Sequence, residues 1–375
     1  MSVKTDRVGL PGSRSLSVIS AHQLFFPAAA VFAAIAPWLL LVSLAGITEP
    51  LVDVSTHARG LLIGYIGALI AGYLGGKLPL RQLVVLFGLW LAGRWAEVFS
   101  GSPLITYTLY IAFGLSLASI VVPRFSAAKK WRNRVVGPLI ALVTCFPLIL
   151  GVYGATGYQP PVPLYTLLLL IALLMFFMGG RLITPILARA YANTGGTLPQ
   201  RVQPRLEGAV IVLLLFASAF SIFPFGTAWV ALLAGLAGVL VLVRLYRWKI
   251  VGPGWQDADL MALGVGYLWL GLGLLVFSLS LVERLSPFTS LHIITIGALG
   301  TLSSTVMLKF SCRTRPPPPA AYYVVVILLF LATSARCLVD ALPAYRQSLL
   351  FASGLMWSVN FLLVLLRTLP GKEGQ

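Results

Sequence analysis

Apolar runs of about twenty residues recur along almost the whole chain, with only short polar breaks between them. A helix of about 20 apolar residues spans the roughly 30 Å hydrocarbon layer of a bilayer. In lipid, every backbone amide and carbonyl must find its partner within the segment, which leaves the helix as the natural form for such runs. The runs fall at 24–46, 60–76, 82–99, 103–122, 135–154 and 164–183, then at 207–225, 227–246, 260–282, 290–308, 320–339 and 348–366. They predict an all-α polytopic transmembrane bundle of twelve helices over 24–366. A segment 1–23 precedes it, a tail 367–375 follows it, and a basic connection at 184–206 divides six spans from six.

The first run is too long for the apolar core of a cleaved signal, about 7–15 residues, so it reads as a retained span. The break inside 207–246 rests on Phe223-Pro224-Phe225-Gly226, because Pro and Gly together punctuate helices with tight turns. The tetraproline at 316–319 reads as a stiff extended spacer.

Charge tests the span count. The chain carries 27 Lys and Arg against 10 Asp and Glu, a formal net charge of +17. In a soluble protein that excess points to nucleic acid. Here only 10% of residues are charged, and no basic-aromatic module accompanies them, so a nucleic-acid partner is not expected. Cytoplasmic loops of membrane proteins collect Lys and Arg. With twelve alternating spans, Arg94 and Arg336 lie within the membrane and Arg59, Arg284 and Arg346 lie in outer loops. The other basic residues fall on the side of the N-terminus. Both ends are therefore expected in the cytoplasm, with the chain in the cell (inner) membrane.

Few residues can carry chemistry. The three cysteines, Cys145, Cys312 and Cys337, do not form a disulfide framework. Two of the three histidines, His57 and His292, fall at the outer ends of spans two and ten. His57 shares a helical face with Gly64, Ala68 and Gly72, a small-residue stripe that packs helices closely. His292 shares one with Thr295 and Ser303. Two such imidazoles either ligate one metal or haem or hydrogen-bond backbone carbonyls and interfacial water. Arg94 and Glu97, three residues apart in span three, are spaced to pair, as are Arg336 and Asp340 in span eleven. Charges in spans either serve function or snorkel to the interface. No Ser-His-Asp set, phosphate loop or CxxC pair is present. Gly179-Gly180 and Gly264-x-Gly266 read as helix packing rather than nucleotide loops.

Taken in order, several strings resemble the NnrS family of bacterial membrane proteins. They are His22-Gln23-Leu24-Phe25-Phe26, Thr56-His57-Ala58-Arg59 with Gly64-Tyr65, and Trp90-Leu91-Ala92-Gly93-Arg94. Further along come Gly179-Gly180-Arg181-Leu182-Ile183, Gly266-Tyr267-Leu268-Trp269, Leu291-His292 through Gly297 to Thr301, and Arg315-Pro316. The resemblance implies a twelve-span protein containing haem and copper and acting in the response to nitric oxide. It points to His57, His292 and Cys312 as metal ligands and to Arg59, Arg94 and Arg181 as cofactor-binding residues. Arg59, Gly264 and Cys312 stand where the family pattern has histidine, so the metal complement is expected to be reduced or absent. Two other readings stay open. One is a secondary transporter with a site between its six-span halves, using Arg94, Glu97, Arg181 and Asn360. The other is a metal-free scaffold or sensor.

Overall fold

A computed structural model describes residues 18–47, 52–126, 129–156, 163–198, 203–250, 257–282, 285–311 and 316–369. They form a helical bundle, and we number its main helices α1 to α12. The first six are α1 His22–Leu44, α2 Val54–Leu74, α3 Leu80–Phe99, α4 Pro103–Ser126, the bent pair α5 Val136–Thr144 and Phe146–Gly154, and α6 Leu164–Asn193. The second six are α7 Pro204–Phe220, α8 Pro224–Trp248, α9 Ala258–Leu281, α10 Thr289–Ser311, α11 Pro319–Ala341 and α12 Pro343–Thr368.

Ten of these are long and apolar enough to cross a bilayer, and the bent pair α5 supplies an eleventh. Helix α7 has 17 residues. At 1.5 Å per residue it is about 26 Å long, short of a full hydrocarbon layer. The α5 bend of 44° follows from Pro147, which has no amide proton to donate back into the helix. Helix α4 packs against that break. A Cβ on Gly114 would lie 2.1 Å from the Thr144 carbonyl oxygen, so only glycine permits the approach. The expected break before α8 is present. Helix α7 ends at Phe220, and Pro224–Gly226 forms a 3-10 turn. A Cβ on Gly226 would meet the Phe220 carbonyl oxygen at 1.9 Å.

Two features depart from the sequence reading. Helix α2 starts at Val54 rather than 60, because the Asp53 carboxylate accepts from the Thr56 amide at 2.6 Å and caps it. Arg59, expected in an outer loop, is therefore helical, as His57 is. The described chain also begins as a strand, β1 Val18–Ser20, paired antiparallel with β2 Lys77–Pro79.

Contacts divide the bundle ends into two sides. Tyr73 of α2 meets Phe310 of α10 edge-to-face at 4.9 Å, and Lys309 pairs with Asp259 at the start of α9. Arg124, at the end of α4, donates to the Leu74 and Gly75 carbonyls. The β1–β2 pair joins residue 18 to this side. On the opposite side, Thr289 donates to Asp340 at 2.6 Å, so α11 ends where α10 begins. Helix α12 starts beside that point and returns across its 23 helical residues to Thr368. Both ends of the described chain thus lie on one side, termed here the terminal side. The other is the far side.

Helices α6 and α10 are the most enclosed, each with 78% of its most apolar window buried, against 28–33% for α3, α4 and α11. The peripheral helices turn side chains such as Val84, Leu91, Trp95, Leu104 and Ile327 outward. In a soluble protein such a surface would aggregate, whereas here it matches lipid.

Candidate functional site

Two helices carry a π-helical stretch, and both stretches follow a histidine. Gly60–Tyr65 lies in α2 just after His57, and Ile293–Gly300 lies in α10 immediately after His292. Such stretches re-aim backbone carbonyls and often mark functional positions. The Tyr65 hydroxyl and the Ser303 hydroxyl share a 2.7 Å hydrogen bond, so the two helices face each other within the bundle.

Charge concentrates around the α2 stretch on the far side. Arg94 of α3 is only 8% exposed. Its Nη1 donates to Glu97 Oε2 at 3.0 Å and to the Gly60 carbonyl at 3.2 Å. The guanidinium lies 4.3 Å from the Tyr110 ring centroid and 5.5 Å from that of Phe32, which adds cation–π attraction in a desolvated setting. The space for it comes from Gly64, where a Cβ would fall 2.1 Å from Arg94 Nη1. Trp90 Nε1 donates to the Gly64 carbonyl at 2.8 Å, fixing α3 against α2. Arg59 Nε stands 3.6 Å from Glu97 Oε1, and its Nη2 donates to the Thr56 hydroxyl at 2.8 Å. One carboxylate thus sits between two guanidiniums, and the cluster is net positive. Arg94 Nε is buried in this cluster without a hydrogen-bond partner.

His57 lies two residues before Arg59 on the same helix. Its ring is half-buried, with the Ala36 backbone of α1 as hydrogen-bonding neighbour and the Arg336 guanidinium of α11 as the charge acting on it. Its Nδ1 is buried with no partner. His292 is half-buried in the first turns of α10, on the same side. Helix α11 adjoins both histidine turns, through Arg336 and through the Thr289–Asp340 bond.

The expected site residues are thus divided. Arg59 and Arg94 are joined through Glu97 on the far side, whereas His57, on the same side, meets α1 and α11 instead. Arg181 is exposed on the terminal side, its guanidinium 5.5 Å from the Phe125 ring centroid. Gly264 is also toward that side, and a Cβ there would touch Ile250. Cys312 lies outside the described residues. Among the described residues, no three His, Cys, Asp or Glu side chains converge as a metal-holding group.

A second buried charge cluster occupies the terminal side, and the sequence reading counted its arginine simply among the basic residues of that side. Arg244 of α8 is 5% exposed. Its Nη2 pairs with Glu207 Oε1 of α7 at 2.8 Å, and its Nη1 donates to the Tyr267 hydroxyl of α9 at 2.9 Å. Tyr267 in turn donates to the Phe176 carbonyl of α6 at 3.3 Å. The guanidinium lies 4.6 Å from both the Phe176 and Trp248 ring centroids. Gly180 leaves it room, since a Cβ there would lie 2.8 Å from Nη2. The available signal was the glycine pair of α6 together with a lone acid opening an apolar run.

These features define a polytopic α-helical membrane protein with a buried charge cluster and two histidine-bearing helix starts at one end of its bundle. The family model described as "NnrS protein" matches residues 18–371. The chain belongs to the NnrS family. No curated protein and no solved structure matches it.

Proposed function

We propose that this protein acts in the bacterial response to nitric oxide and holds a haem at the far side of the bundle, with His57 as the iron ligand. The observation that carries this reading is His57 Nδ1, a buried imidazole nitrogen without a partner, with the Arg336 guanidinium as its charged neighbour. A neutral imidazole nitrogen is a common ligand to haem iron. The donor set suits a haem held through one imidazole. It does not suit a three-ligand copper centre, because no such group converges among the described residues.

Arg59, at the rim of the Glu97 cluster and with a quarter of its side chain exposed, is placed to pair with a haem propionate. Arg94 is committed to Glu97 and Gly60 and holds α3 and α2 in register behind it. When bound, haem would supply an iron able to take nitric oxide as ligand. The chain's own part is to orient His57 through helix α2 and to balance the carboxylates through Arg59.

For orientation, we place the terminal side in the cytoplasm of a bacterial inner membrane. Lys77, Arg124, Arg181 and Lys309 gather there, as the positive-inside bias requires.

The test is the absorption spectrum of protein purified in detergent from haem-supplied cells. A haem band is expected in the wild type and in Arg181→Ala, and its loss is expected in His57→Ala. The same measurement on His292→Ala shows whether that residue supplies a second ligand. Colourless wild-type protein without iron would overturn the haem assignment. It would favour transport, a reading supported by Asn360, buried in α12 with its Oδ1 unpartnered.

A further inference from the structure

We propose that the terminal-side cluster of Gln203, Arg244 and Trp248 is a binding site for a small monovalent oxyanion, distinct from the far-side histidine site. Three side chains there are each more than nine-tenths buried: Gln203 at 6% exposed, Arg244 at 5% and Trp248 at 0%. Four of their polar atoms have no partner, namely Arg244 Nε, Trp248 Nε1, and both Oε1 and Nε2 of Gln203. Leaving such groups unpaired in a desolvated setting is unfavourable, so a natural occupant is expected.

Glu207 ties Gln203 and Arg244 together, and Trp248 packs on the guanidinium. The Arg244 guanidinium lies 4.6 Å from the Trp248 ring centroid. Glu207 Oε1 pairs with Arg244 Nη2 at 2.8 Å and accepts from the Gln203 backbone N–H at 3.5 Å. Gln203 is the N-cap of α7, so the positive end of that helix adds to the same place.

The chemistry of the unmet groups selects the occupant. Glu207 and Tyr267 already take Nη2 and Nη1 of Arg244. Three N–H-bearing nitrogens remain without a partner, one each from a guanidinium, an indole and a carboxamide, against one carboxamide oxygen. An acceptor-rich ligand fits that excess. Glu207 offsets the arginine charge and so disfavours a dianion, whereas a singly charged oxyanion can accept from all three donors. Nitrate or formate in solution has this chemistry, and so does the phosphodiester of a lipid headgroup.

Thermal unfolding of delipidated protein in detergent, titrated with sodium nitrate and sodium formate at constant ionic strength set by sodium chloride, is the test. Saturable stabilisation by nitrate or formate but not by sulfate is expected. Gln203→Leu and Trp248→Phe each remove donors while keeping bulk, and Trp248→Phe also keeps a ring over the guanidinium. Each is expected to weaken the apparent Kd about tenfold, the equivalent of one charge-assisted hydrogen bond, and to leave the haem spectrum and its dependence on His57 unchanged. Repeating the titration in phosphatidylglycerol nanodiscs and in phosphate-free maltoside micelles separates the sources. A nitrate response seen in the micelles and lost in the nanodiscs assigns the site to a headgroup phosphodiester, and one kept in both assigns it to a soluble anion. No saturable response to either salt, or a response equal in wild type and both variants, would overturn the proposal.

Discussion

Glu97 stands between two guanidiniums, and that asymmetry sets an order of losses. Arg94 Nη1 lies 3.0 Å from one carboxylate oxygen and Arg59 Nε lies 3.6 Å from the other. Arg94 and Glu97 side chains are 7% and 6% exposed, whereas that of Arg59 is 25% exposed. Removing one partner of a buried pair costs on the order of 3–5 kcal/mol. Arg94→Ala leaves Glu97 with Arg59, so its loss should fall near the lower end, about 3 kcal/mol. Glu97→Ala strands Arg94 in an apolar cage beside a second cation, which puts it near the upper end, about 5 kcal/mol. In the double variant Arg59 can turn to water and no buried charge is stranded. Its loss should fall at least about 2 kcal/mol short of the sum, within the range of coupling between contacting residues. Equilibrium unfolding in mixed micelles with a denaturing detergent, followed by tryptophan fluorescence, measures all three. Additive losses, or Arg94→Ala costing more than Glu97→Ala, would refute the reasoning and leave Arg94 as a side chain reaching for the interface.

Other outcomes follow from individual contacts. Gly64→Ala should destabilise by about 1–3 kcal/mol through overpacking, because the new methyl would fall 2.1 Å from Arg94 Nη1; Gly88→Ala, with nothing within 4 Å, should be neutral in the same thermal assay. Asp53→Ala should cost about 1 kcal/mol through loss of the α2 cap. The hydrogen bond from Thr56 holds the Asp53 carboxyl below its ordinary range. Its contribution is therefore full above the unfolded aspartate value of about 3.9 and is lost as pH falls through the folded value, so wild type and Asp53→Ala should converge in acid. Single cysteines at Gly195 and Ala344 should label with impermeant reagent from opposite sides, and labelling of both from one side would break the two-sided assignment.

Much of this architecture is legible in the sequence because a bilayer imposes a length on every crossing segment. The α8 break showed in Pro224 and Gly226 for the same local reason that makes the turn. Where tertiary contacts decide, the sequence was silent. The start of α2 depends on one carboxylate reaching back to an amide, and a polar stretch before an apolar run reads equally as loop. The pairing of Val18–Ser20 with Lys77–Pro79 joins segments that carry no strand periodicity. Arg244 sits one turn from the end of its helix, where an arginine ordinarily snorkels. Its burial depends on Gly180 from α6 and Glu207 from α7, and nothing in its own neighbourhood announces either. By contrast, Arg94 and Glu97 share one helix at a spacing that announces a pair.

The two arginine clusters solve the same physical problem at opposite ends of the bundle. A guanidinium in an apolar setting needs a carboxylate, an aromatic face and a gap in the facing helix. Glu97, Tyr110 and Gly64 supply these on the far side, and Glu207, Trp248 and Gly180 supply them on the terminal side. Helices α1, α2, α6 and α10 border a partly open apolar cavity of about 100 Å³ whose lining includes Phe26, Ile70, Met175 and Ser303. The clusters pin different helices, α2 to α3 on one side and α6 to α9 on the other, so neither alone rigidifies the bundle. Loosening the far-side cluster should therefore disturb His57 while leaving the Gln203–Trp248 site intact. Opposite behaviour of the haem spectrum and nitrate binding in Glu97→Ala would show that two ends built alike can be perturbed separately.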